Sequence, residues 1–62
     1  MDEITDYQIA QAMKAIGGSF VRTLGQLWFM ADLINREKLK AAFPEYWEEY
    51  RELIALRASR AK

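Results

Sequence analysis

Side chains able to do covalent or acid–base chemistry are few in this chain, and the missing types say as much as the present ones. The sequence contains no cysteine and no histidine. That removes thiolate and imidazole nucleophiles, disulfides, and the ordinary ligand sets for zinc and haem. A nucleophile would have to be a hydroxyl, and the candidates are Thr5, Ser19, Thr23 and Ser59. Thr5 and Ser19 both stand where a helix begins, a position at which the side-chain oxygen accepts a backbone N–H. Lys14, Lys38 and Lys40 fall on polar helix faces, not in the buried surroundings that a lysine base needs. Glu45/Glu49 and Glu48/Glu52 are spaced four apart. Such pairs can approach a hard cation but supply too few oxygens to hold one, and a solvated helix face accounts for them more simply. Gly17-Gly18 lacks the preceding strand and the lysine of a phosphate loop. Neither catalysis nor a bound cofactor or metal is expected.

The elements that must position these residues read as short helices. Sixty-two residues with 52% hydrophobic content make a single domain near the lower size limit for one core. Thr5 followed by Gln8 fits a capping box, with Ile4 and Ile9 as its hydrophobic staple. Ile9, Ala12, Met13 and Ile16 then form an apolar stripe opposite Gln8, Gln11 and Lys14. Gly17 is expected as a left-handed helix end, and Ser19 as the cap of the next helix.

The stretch Phe20 to Ala31 is the apolar centre of the sequence. At about 100° per residue, Phe20, Val21, Leu24, Leu27, Trp28 and Ala31 share one broad face. Phe29 and Met30 fall to the flank and back, beside Gly25 and Arg22. Glycine inside a helix costs roughly 1 kcal/mol relative to alanine, so Gly25 predicts close approach of another backbone. Asp32 predicts a new helix start, and a break near Ala31-Asp32 is expected over one helix from Phe20 to Ala42. In the third helix Leu33, Arg36 and Lys40 would lie on one side, with Leu39, Ala42 and Phe43 making the apolar contacts. Pro44 opens the last helix. Its apolar face is Tyr46, Trp47, Tyr50, Leu53, Ile54 and Arg57, and its other face is Glu45, Glu48, Glu49, Arg51 and Glu52. Leu56 lies among the acids, and Ser59 to Lys62 should fray. The expectation is an all-α, compact bundle of three to four short helices, at about residues 6–16, 20–30, 33–42 and 44–58.

Nine basic and nine acidic residues cancel, leaving no long-range field for nucleic acid or an anionic membrane. Asp2, Glu3 and Asp6 at one end, and Arg57, Arg60 and Lys62 at the other, suit the helix dipoles. There is no apolar run of membrane-spanning length and no signal-peptide pattern, so a protein of the cytoplasm is expected. Two helices joined by a glycine-containing turn do outline a helix-turn-helix, with Arg22, Thr23 and Gln26 set to meet base edges. Its recognition helix would carry one charge and expose Phe29 and Met30, with no basic stripe for phosphates. The leading expectation is instead protein recognition through Phe29, Met30, Tyr46, Tyr50 and Leu56, the alternative being that these side chains simply complete the small core. Such an apolar, aromatic patch suits an interface core, most commonly that of a homodimer or higher homo-oligomer.

The segment Ala41-Ala42-Phe43-Pro44-Glu45-Tyr46-Trp47, with Gly17-Gly18-Ser19-Phe20-Val21 upstream, resembles small accessory proteins of tailed phages and prophages. The resemblance covers most of the chain. It implies a protein made in a bacterial host cytoplasm and a bacterial host protein as a partner, and it brings no catalytic residues with it.

Overall fold

The computed structural model describes residues 3–60, and in it four helices follow one another. They are α1 Asp6–Ile16, α2 Ser19–Met30, α3 Leu33–Ala42 and α4 Pro44–Arg60. The all-α expectation holds, with no strand among the described residues. The last helix runs past Ala58, so Ser59 and Arg60 are helical where fraying was expected. Asp2 and Lys62 lie outside the described residues.

At the start of α1 the capping box forms as predicted. The Gln8 backbone N–H donates to Thr5 Oγ1 at 3.2 Å, and the Thr5 N–H donates to Gln8 Oε1 at 2.8 Å. Ile9 is fully buried and Ile4 packs against the same core. The end of α1 differs from expectation. Gly17 is extended (φ −76°), not left-handed. Glycine is required there for room: a Cβ would sit 2.6 Å from the Met13 carbonyl oxygen and 2.8 Å from Val21 Cγ1. The extended Gly18 then serves as the N-cap of α2 without a side-chain bond. Ser19 is therefore already helical, and its carbonyl accepts the Thr23 hydroxyl at 2.8 Å.

In α1 and α2 the inward face is shifted from the predicted stripe: Ile9, Ala12, Met13, Val21, Leu24 and Trp28 pack inward as predicted, but Ile16, Phe20 and Leu27 do not. Ile9, Ala10, Met13, Leu24, Trp28, Trp47 and Tyr50 form the buried core. Ala10 is in that set, whereas Ile16 is 45% exposed. Gly25 is buried on α2, whereas Phe20 and Leu27 are 54% and 46% exposed. The close approach predicted at Gly25 explains the rotation. A Cβ there would lie 2.7 Å from the Ala10 carbonyl oxygen and 3.0 Å from the Lys14 nitrogen. The two helices meet through their smallest residues because only those let the backbones come so near, and dense packing of the surrounding side chains follows.

The break between α2 and α3 forms where Asp32 predicts it, with the Asp32 carboxylate accepting the Asn35 N–H at 2.8 Å. No residue of α3 is fully buried. Its principal attachment is Arg36, expected on a side with Leu33 and Lys40. The guanidinium Nε donates to the Trp28 carbonyl at 3.0 Å, and the group stacks 4.0 Å from the Trp28 ring centre. It thus pairs a carbonyl at the end of α2, where helical partners run out. Leu39 and Phe43 pack on the core edge, but Ala42 is exposed.

Pro44 opens α4 at the predicted boundary, and Trp47 and Tyr50 carry it into the core. Arg51, read as part of the acidic face, instead donates to the Ile4 carbonyl at 3.3 Å. Arg57, assigned to the apolar face, is exposed. The Arg51 head reaches an acceptor far along the chain, which a helical wheel does not register.

Candidate functional site

With Val21, Leu24, Gly25 and Trp28 turned inward, α2 is left with an apolar flank on each side. On one flank lies Phe29. Tyr7 meets its ring edge-to-face at 5.1 Å and 85°, Trp28 at 5.3 Å and 88°, and the Lys14 ammonium lies 5.3 Å from the ring centre. Such aromatic pairs and a cation over the ring's negative face close this flank.

The other flank is open. Phe20, Leu27 and Met30 succeed one another along it, Met30 at 75% exposure. Between this flank and α3 runs a cleft of about 570 Å³ lined by Leu27, Met30, Ala31 and Leu39, with Asn35 and Lys38 supplying its polar groups. A second cleft of about 240 Å³, lined by Phe20, Thr23, Leu24 and Phe43, shares Leu27 and Leu39 with the first. The two clefts therefore adjoin at these leucines and together make up an apolar groove. Phe20 meets Phe43 at 5.6 Å and Tyr46 at 5.8 Å, which closes its far end with aromatic rings. Beyond its near end, the first turn of α3 exposes Leu33 and Ile34 at 75% and 69%.

The five residues expected to form an interaction patch are thus distributed over the molecule. Met30 lines the groove and Tyr46 borders its aromatic end. Phe29 is half-buried under Tyr7 and Lys14, and Tyr50 is in the core. Neither Phe29 nor Tyr50 lies on the open surface that the sequence reading gave it. Leu56 is 54% exposed elsewhere, in a shallow cleft of about 230 Å³ with Glu49, Glu52 and Leu53. Phe20, Leu27 and Leu39 were missed because their apolarity placed them in the core. Gly25 was the signal that could have found them. Taken as the centre of the buried face, it moves Phe20 and Leu27 off that face.

Arg22, Thr23 and Gln26 are exposed on α2, with the Thr23 hydroxyl committed to its own helix. Several basic groups have local partners. Arg36 and Arg51 are bonded to backbone carbonyls, and Lys40 pairs with Asp6 at 3.2 Å. Lys38, at the groove, forms no ion pair among the described residues.

Among the remaining polar groups, burial pushes the Tyr50 hydroxyl above its ordinary value of 10.0, and the charges of Glu49 and then Tyr46 add to the effect. The Trp47 indole N–H is buried without an acceptor among the described residues. No three acidic groups among the described residues converge as a metal site, and no helix there is long and apolar enough to cross a membrane. Compared with protein families, curated proteins and solved structures, the chain matches none.

Proposed function

We propose that this chain is a non-enzymatic protein-interaction module that self-associates through the groove between α2 and α3. The observation that carries this reading is that the two clefts adjoin at Leu27 and Leu39, with Phe20, Leu27 and Met30 about half or more exposed along them. Apolar surface in one run favours removal from water, at roughly 25 cal/mol per Å² buried. Scattered single residues would not supply that drive. Depleted charge at the centre with aromatic and methionine side chains around it is the composition of an interface core. A second copy is the occupant that the chain itself always brings, and symmetric pairing is its commonest arrangement. The phage-like sequence pattern adds a setting, a bacterial host cytoplasm, and a host protein as the competing occupant.

Sedimentation velocity over a concentration series tests this. The unaltered chain should gain mass with concentration, whereas Met30→Asp should remain a monomer with an unchanged far-UV circular dichroism melt. A monomer at every concentration for the unaltered chain would refute self-association.

A further inference from the structure

We infer that the groove between α2 and α3 of one copy receives the outer stripe of α4 of a second copy, with Lys38 of the groove meeting the acids of that stripe. The inference rests on the self-association proposed above and specifies which surfaces meet. The stripe consists of Glu49, Glu52, Leu53 and Leu56, which line one shallow cleft together. Their spacing, i, i+3, i+4 and i+7, puts all four on one face of α4, with Leu53 also packed against its own core and Leu56 the exposed apolar side chain. Leu56 is 54% exposed at the end of the stripe. The groove is walled by two helices, and its one charged lining residue is Lys38.

The two surfaces are opposite in charge. Glu49 and Glu52 have no ion-pair partner among the described residues, and neither has Lys38. Groove against groove would instead bring two Lys38 side chains to one interface, and like charges oppose that arrangement. Paired about a two-fold axis, two copies would make the contact twice, groove of each to stripe of the other, which closes the assembly at two.

Complementation between variants tests the pairing. Met30→Asp breaks the groove and leaves the stripe, while Leu56→Asp breaks the stripe and leaves the groove. Each alone should associate at least about tenfold more weakly than the unaltered chain. Mixed together, they should form a mixed dimer, because one intact groove then meets one intact stripe. Lys38→Glu should weaken association about fivefold, and adding Glu49→Lys and Glu52→Lys in the same chain should restore it. These three residues are exposed, and melts of each variant establish that folding is intact. If the unaltered chain associates but Leu56→Asp and Glu52→Lys leave it unchanged, the stripe is not the occupant and this inference fails while self-association stands. Failure of the mixture to pair when both single variants are folded also overturns it. A chain that never associates removes both readings.

Discussion

On its α1 side, α2 meets its neighbour through Gly25 and Ala10, with the two backbones in near contact. On its α3 side it faces a cleft of about 570 Å³ and is held chiefly by one arginine. The difference follows from side-chain size. Where both helices offer small residues, the axes close and large neighbours such as Met13 and Trp28 pack around the seam. Where α2 offers Phe20, Leu27 and Met30 to a helix with no buried residue of its own, the surfaces stay apart. One flank therefore holds the fold together, and the other leaves apolar area exposed.

Substituting the seam should have the largest effect. Gly25→Val would place branched carbons against the Ala10 carbonyl and cost more than about 3 kcal/mol. A core of this size supplies roughly 3–5 kcal/mol in total, so the variant should be largely unfolded by circular dichroism at 25 °C. A melt close to that of the unaltered chain would contradict the closed seam. On the opposite flank, Arg36→Ala removes both the bond to the Trp28 carbonyl and the stack on its ring. A loss of about 1–2 kcal/mol in urea unfolding is expected. Arg36→Lys should recover less than half of it, since an ammonium cannot reproduce the planar stack. Full recovery would mean that charge alone fastens α3.

Tyr50 offers a smaller effect that is tied to pH. Its ionisation is raised above 10.0 by burial first, then by Glu49 and Tyr46. The unfolded chain releases this proton more readily than the folded one. The stabilisation is therefore complete below pH 10 and is lost as pH climbs through the folded value. Tyr50→Phe should flatten that part of the alkaline limb of stability against pH, and an unchanged limb would exclude Tyr50 as its source. The smallest effect is expected for Lys40→Met. The Lys40–Asp6 pair joins side chains that are 43% and 35% exposed. Its removal should change stability by less than about 0.5 kcal/mol at physiological salt; a larger loss in the melt would mean that α3 is fastened by charge at both ends.

Several local signals in the sequence translated into structure, although Gly17 as a left-handed end and Ser19 as a cap did not. The Thr5–Gln8 box, the Asp32 cap and the Pro44 boundary each act within a few residues and need no knowledge of the rest of the fold. The close approach at Gly25 was legible for the same reason, since a helix tolerates glycine only where something compensates its cost. Which face turns inward was less legible. A wheel weighted by apolarity favours Ile16, Phe20 and Leu27, but the tightest contact runs through Ala10 and Gly25, whose small size is the property that matters. The candidate groove was hidden by the same error. Long-range polar contacts such as Arg51 to the Ile4 carbonyl, 47 positions apart, leave no periodic trace. Phe29 shows how neighbours decide exposure, because its place on the wheel is flanking and Tyr7 and Lys14 from α1 help to cover it.

The chain has two tryptophans, and they occupy unlike surroundings. Trp47 is 2% exposed with an unbonded indole N–H, while Trp28 lies beneath the Arg36 guanidinium. The molecule thereby carries two intrinsic optical reporters, one for the integrity of the interior and one for the fastening of α3. Detachment of that helix should alter the emission of Trp28 while Trp47 still emits as a shielded fluorophore, so the weakest joint of the bundle can be watched without attaching a dye.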